Sequence, residues 1–279
     1  MIRAIFFDLD GTLLDNDKRI PASAYEVLEK CRERGIALFV ATARPPILEK
    51  MLGWGAAEEQ LFSGGVYCNG ACERIGEHLA YHFMPREVVE RVIQEVKRFA
   101  GLNLALQMRG EQHAFRYRLS KEAWGPWGVE PRDAISLEQA NLSEVVKLLV
   151  FYENLIDSVT ELPRDLVENI RKSRGAQAKI YETDQGRLLQ IAGSDVSKYG
   201  TIQSVCDQMG WQAEEIVVFG DDHNDEEMLA GFPHSVAMGN APQNLKDRAE
   251  YVTRSNEEDG IAYAVEQWIL PCLCGETHR

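Results

Sequence analysis

Residues 2–15 read IRAIFFDLDGTLLD: an apolar, β-rich run, then two acids around a leucine, then Gly-Thr. The run Ile2–Phe7 predicts a buried strand, and its abrupt end in Asp-Leu-Asp-Gly predicts a glycine turn at the strand's carboxyl end. Working outward, Ser23–Arg34 carries Tyr25, Val27, Leu28 and Cys31 at helical spacing, and Gly35 stops it. Ile36–Val40 reads as a second buried strand ending in ATARPP, Ile47–Leu52 as a helix, and Tyr67 closes a short strand before the turn Cys68-Asn69-Gly70. Strand, helix and strand in succession predict a parallel sheet with helices on its faces.

The texture changes near residue 82. Pro85 opens an amphipathic helix with Val88, Val89, Val92, Ile93, Val96 and Phe99 on one face. Asn103–Met108 and His113–Leu119 read as a hairpin about Arg109-Gly110-Glu111. Val145–Tyr152 reads as a strand, Pro163–Arg174 as a helix and Ala178–Glu182 as a strand. From Leu188 the first rhythm resumes: helix Val196–Met209, strand Ile216–Phe219 running into GDDHND, helix Glu226–Ala230, strands at Ser235–Met238 and Tyr251–Thr253, and a last helix Gly260–Leu270. The expected fold is α/β: a Rossmann-like, doubly wound parallel sheet from residues 1–81 and 188–279, interrupted by an α+β domain at 82–187.

The bulk composition narrows the function. The chain has 279 residues, 45% hydrophobic and 27% charged, and a net charge of −14. That is ordinary for a globular protein of one or two domains. No dense basic run exists, so nucleic acid and anionic membrane surfaces are not expected partners. A small anionic substrate is compatible only with a local cation. The start of the chain carries acids where a signal peptide is apolar, and no run of about 18 apolar residues occurs. Six scattered cysteines (Cys31, Cys68, Cys72, Cys206, Cys272, Cys274) read as reduced thiols in a cytoplasmic protein, monomeric or homodimeric. Cys272 and Cys274 read as part of a frayed terminus rather than a metal clip.

Four elements carry chemistry. Asp8 and Asp10 lie at a strand's carboxyl end, where open α/β sheets place their sites. Because the chain is leaving the strand there, the second acid can swing beside the first. Two close acids repel unless a cation sits between them, and oxygen-only ligands favour Mg²⁺. A solvated strand-end turn is the bland alternative. Gly220-Asp221-Asp222-His223-Asn224-Asp225 supplies more hard oxygens after another apolar strand. Asp221 with Asn224 and Asp225 has the i, i+3 and i, i+4 spacing of one helical face. An acid-rich helix start would look similar. Thr42-Ala43-Arg44 follows the second strand, where a hydroxyl and amide N–H groups suit phosphate oxygens, although Thr also caps helices. Finally, a site of several acids and a phosphate needs a buried ammonium. Like charges ~4 Å apart cost ~4 kcal/mol at an effective dielectric near 20. Lys198 is one candidate, although a lone helical lysine usually faces water.

In this order the four elements resemble the haloacid dehalogenase superfamily of aspartyl-nucleophile phosphatases, and most closely its Cof-type branch. The resemblance rests on DLDGTLLD, GDDHNDEEML and the closing run VAMGNAPQNLKDRAEYVTRSNEEDGIA, and it covers essentially the whole chain. One departure is Ala43, where the family often has Gly; Ala keeps its N–H but has less backbone freedom. The resemblance implies Asp8 as nucleophile and Asp10 as general acid and base. It implies Mg²⁺ held by Asp8, the Asp10 carbonyl and Asp221, and phosphate held by Thr42, Ala43, Lys198 and Asn224. Asp225 would support the metal or Lys198, and Asn69, Gly70 and Arg44 would face substrate. The inserted domain would choose the leaving group, for which His113, Arg116, Arg118, Trp124 and Trp127 are candidates; a solvated strand face with partly buried tryptophans is the plainer reading of them. The expected substrate is a small phosphorylated metabolite, most often a sugar phosphate in such enzymes; flavin precursor, pyridoxal and nucleotide phosphates are the alternatives. Rival readings are a phosphomutase, a catalytically idle relative and a metal-independent dehalogenase, the last opposed by the metal-type acids.

Overall fold

The computed structural model describes residues 1–152, 160–173, 177–183 and 185–273. Two compact units emerge: residues 1–43, 54–79 and 197–279 form the first, and residues 44–53 and 80–196 the second.

The first unit is built on a sheet whose strands run Tyr251–Val252, His234–Ala237, Ile216–Gly220, Ala4–Phe7, Ala37–Ala41, Gly64–Tyr67 and Cys72–Ile75, with His78–Tyr81 at the edge. The first six are parallel to their neighbours, and Cys72–Ile75 returns antiparallel. The run Ala4–Phe7 is wholly buried because both faces of its strand are covered. Ala4 and Phe6 pack towards Ile202 and Val205 of helix Lys198–Met209. Strand alternation turns Ile5 and Phe7 to the opposite face, where helix Ala22–Glu33 packs on strand Ala37–Ala41. Asp8 therefore leaves the carboxyl end of the central strand, next to the end of Ile216–Gly220. This is the Rossmann-like α/β core.

The second unit is α+β. Its sheet runs Ala178–Thr183, Leu188–Gly193, Val145–Tyr152, Leu102–Met108, His113–Phe115 and Ile135–Ser136. Helices Arg86–Lys97 and Arg164–Ser173 cover one face with Val88, Val92, Val96, Leu166 and Ile170. Two expectations change here. Leu188–Gly193 does not resume the core: it pairs antiparallel with Ala178–Thr183 and with Val145–Tyr152, so the boundary falls after Val196. Leu189 and Ile191 join the helix-covered core, while Gln190, also buried, pairs beside Leu149 on the other face. The hairpin's second strand also stops at Phe115, not Leu119. Arg174 and Cys274, and the Cys272 side chain, lie outside the described residues.

The residues proposed above as leaving-group contacts are largely structural. Trp124 and Trp127 are buried with Phe115, Leu149 and Phe151 on the sheet's second face. Arg116 does not share a solvated strand face with the exposed Arg118. Its guanidinium Nη1 donates to the carbonyls of Val96 (2.8 Å), Phe99 (3.1 Å) and Leu102 (3.0 Å), closing the carboxyl end of helix Arg86–Lys97. A cation there satisfies orphan carbonyls and complements the helix dipole. His113 is fully buried; its Nδ1 meets the Glu111 carbonyl at 2.8 Å, while Nε2 has no hydrogen-bond partner. Among the described residues no helix is long and apolar enough to cross a membrane.

Two stability predictions follow from this packing. Arg116→Met should lower the free energy of unfolding in urea by about 2 kcal/mol, since hydrogen bonds to charged groups contribute ~1.5–3 kcal/mol; an unchanged midpoint and slope would contradict the capping role. Burial pushes the His113 imidazole down to about 4 from an ordinary 6.5. The unfolded chain then binds the proton first, so stability is full above pH 6.5 and falls as pH drops towards 4, by roughly 3 kcal/mol for a single group. His113→Phe should flatten that part of the pH profile, and an identical profile in the variant would rule His113 out as its source.

Candidate active site

The site is built where strands Ala4–Phe7 and Ile216–Gly220 end side by side. The Asp8 N–H donates to the Phe219 carbonyl at 3.0 Å, so the sheet ladder itself fixes Asp8. The chain then turns at Gly11, whose φ of +85° is the left-handed region that glycine adopts without strain. A Cβ at Gly11 would stand 2.3 Å from Asp221 Oδ2. Only glycine lets this turn lie against the second acid loop.

Lys198 opens helix Lys198–Met209, capped by the Ser197 hydroxyl accepting the Gly200 N–H at 3.1 Å. An ammonium at a helix N-terminus opposes the dipole, so it needs strong partners. It has two: Nζ lies 2.5 Å from Asp8 Oδ1 and 2.6 Å from Asp225 Oδ1, with all three side chains removed from solvent. Asp225 Oδ2 accepts the N–H groups of Asp221 (3.0 Å) and Asp222 (3.1 Å). Both Asp225 oxygens are thus turned into the protein, and its part is to hold Lys198 and the acid loop. Asp221 Oδ1 accepts the Thr12 hydroxyl at 2.8 Å.

The carboxylates of Asp8, Asp221 and Asp225 each offer an oxygen within 4.8 Å of the others. The Asp10 carboxylate is not part of this group. It pairs with Lys18 Nζ at 2.8 Å. The residues expected around phosphate form a second string. The Asn69 N–H donates to the Thr42 carbonyl at 3.1 Å, and Asn224 Nδ2 donates to Asn69 Oδ1 at 3.0 Å. Gly70 (φ +101°) lies against the Ser197 carbonyl, and its own carbonyl accepts the Thr201 hydroxyl at 2.8 Å. Ala43 follows Thr42 at the end of the first unit's segment, whereas Arg44 belongs to the second unit. Sequence reasoning did not single out Thr12, Lys18 or Asn240, which donates to Asp221 Oδ2 at 3.0 Å. Thr12 stood inside the quoted DLDGT; Asn240 carried no local signal.

The electrostatics show a charge deficit. Burial raises Asp8 well above the usual carboxylate range; Asp225 and Asp221 push it the same way, and Lys198 only partly opposes them. Burial, then Asp225, pushes Asp221 up to about 7. Burial disfavours the Lys198 charge, but Asp225 and Asp8 outweigh it and hold the ammonium charged above its ordinary range. Three acids thus share one cation, and the surplus appears as carboxylates that favour the protonated form. A hard divalent ion bound by Asp8 and Asp221 would remove that surplus. The donor set, all oxygen and partly preoriented, fits Mg²⁺.

The sequence profile of haloacid dehalogenase-like hydrolases matches residues 5–265. A 5-amino-6-(5-phospho-D-ribitylamino)uracil phosphatase of Bacillus subtilis is 26% identical, with 95% of this chain and 96% of that protein covered. A phosphoglycolate phosphatase of Methanobrevibacter smithii is 25% identical over 96% of this chain and 99% of its own. Among solved structures, a sugar phosphatase of haloacid dehalogenase subclass IIB superposes with a TM-score of 0.78 at 26% identity, covering 95% of this chain and 98% of that one. With nearly its whole length matched, the chain belongs to the haloacid dehalogenase-like hydrolases.

Proposed function

We propose that this hydrolase is a Mg²⁺-dependent phosphomonoesterase that uses Asp8 as nucleophile and acts on a small phosphorylated metabolite, most readily a sugar phosphate. The observation that carries the reading is the buried Asp8–Lys198–Asp225 triad beside Asp221. The all-oxygen donors of Asp8 and Asp221 suit a divalent cation, and the buried ammonium supplies positive charge beside the nucleophile. The sugar phosphatase and the other phosphatases named above support the substrate class.

Asp8, Asp221 and the main-chain carbonyl of Asp10 would hold Mg²⁺. When bound, the ion neutralises phosphate charge and lets an anionic carboxylate approach phosphorus. Lys198 grips Asp8 Oδ1 and so aims Oδ2 at the phosphorus. Asp8 Oδ2 bonds to phosphorus as the ester oxygen leaves, and Asp10 donates a proton to that oxygen. Water then attacks the aspartyl-phosphate; Asp10 takes its proton, and inorganic phosphate leaves with Asp8 restored. The Thr42 hydroxyl, the Ala43 amide, Lys198 and Asn224 would bind phosphoryl oxygens. Residues 80–196 would select the leaving group, with Asn69, Gly70 and Arg44 as further contacts. The buried cysteines Cys31, Cys68, Cys72 and Cys206 suit a reducing cytoplasm.

Phosphate release from a generic aryl phosphate and a sugar phosphate panel tests the reading. Asp8→Asn should lower kcat by at least ~10³-fold, as loss of a nucleophile does elsewhere; wild-type turnover in that variant would refute the assignment. Chelation with EDTA should stop phosphate release and added Mg²⁺ restore it, whereas turnover that persists in EDTA would remove the metal from the mechanism.

A further inference from the structure

The closing run of residues 236–262 contains Asn240 and Asn256, for which the reaction above has no use. Asn240 follows strand His234–Ala237, on a turn held at both ends. The Met238 N–H donates to the Gly220 carbonyl (3.0 Å), and the Gly239 N–H to the Arg254 carbonyl (2.9 Å). The Lys246 ammonium also donates to the Gly239 carbonyl at 2.6 Å. From this turn Asn240 Nδ2 donates to the Gly11 carbonyl at 2.8 Å and to Asp221 Oδ2 at 3.0 Å. Asn240 Oδ1 accepts the Asn256 N–H at 3.2 Å, and Asn256 Nδ2 donates to the Leu14 carbonyl at 2.9 Å. The amide has one orientation only. Reversed, its oxygen would face a carbonyl and a carboxylate while its NH₂ faced an N–H donor.

Asp221 therefore has one donor on each oxygen, Thr12 on Oδ1 and Asn240 on Oδ2. That fixes the rotation of the carboxylate. The same Asn240 amide ties the Gly11 turn, and with it the acids on either side, to the loop bearing Asp221. We propose that Asn240 is a positioning residue for the cation site: it sets the angle at which Asp221 meets the metal and its register against the Asp8–Gly11 turn, with Asn256 orienting Asn240. This rests on the metal-dependent reading above. Partners that orient metal ligands through hydrogen bonds typically change affinity or activity 10–100-fold when removed.

The test is isothermal titration of full-length wild type, Asn240→Ala and Asn256→Ala with Mg²⁺ alone, beside aryl phosphate kinetics and metal-free thermal melting. Asn240→Ala should weaken Mg²⁺ binding by about tenfold or more. At saturating Mg²⁺ its KM should stay within about twofold of wild type, since the phosphate contacts are untouched. Asn256→Ala keeps the N–H that Asn240 accepts, so it should weaken Mg²⁺ less, in the same direction; it also stands in if Asn240→Ala folds poorly. Wild-type Mg²⁺ affinity in both variants, with a wild type that binds the ion and releases phosphate, overturns the positioning role alone. A wild type that neither binds Mg²⁺ nor releases phosphate overturns the hydrolase reading and this inference with it.

Discussion

The ammonium of Lys198 is the constraint on which the first unit's chemistry depends. It is buried at the start of a helix, where the backbone dipole disfavours it, and is kept there by two carboxylates at 2.5 and 2.6 Å. Removing one partner of a buried ion pair typically costs ~3–5 kcal/mol, because the other charge is left uncompensated. The contact also joins three distant parts of the chain: the end of the first strand, the first turn of helix Lys198–Met209, and the loop after Ile216–Gly220. Sheet pairing sets the first and third side by side, and this one charge ties the helix start to both.

Around it the oxygens divide by what they face. Asp225 spends both on Lys198 and on the amides of Asp221 and Asp222, so it is bound inward. Asp8 and Asp221 are both raised by burial and by the neighbouring Asp225, and Lys198 only partly offsets this. Gly11 makes the geometry possible, since any side chain there would occupy the position of Asp221 Oδ2. The family's shared fold would not by itself imply chemistry. This arrangement of charge and the hydrolase family match over residues 5–265 together point to an enzyme.

Much of the core was legible because its signals are local. An apolar run that stops at two acids and a glycine marks a strand end whatever lies elsewhere, and the same holds for Ile216–Phe219 before Asp221. The need for a buried cation followed from charge repulsion, but resemblance, not physics, pointed to Lys198. What stayed hidden depends on partners far along the chain. Asn240 meets Gly11 across 229 positions, and no periodicity announces that. Leu188–Gly193 is a short, mostly apolar run that suits either sheet, and only its pairing with Ala178–Thr183 and Val145–Tyr152 assigns it to the second. Arg116 looked like half of a basic strand face; the strand ends one residue earlier, and the guanidinium turns to a helix terminus instead. The ion pair of Asp10 with Lys18, eight residues on, had no signal in the sequence either.

The interrupted order of the core bears on how the chain is made. Strand Ala4–Phe7 is flanked by Ala37–Ala41 on one side and by Ile216–Gly220 on the other. The second neighbour emerges from the ribosome only after more than two hundred further residues. At ~5–20 residues per second the open edge of the first strand waits roughly 10–40 s. Residues 80–196 contribute a hydrophobic core of their own, which can condense during that interval and draw the two ends of the core together. Until then Ile5, Phe6 and Phe7 form an unpaired apolar edge, the kind of surface that chaperones bind and that aggregation starts from.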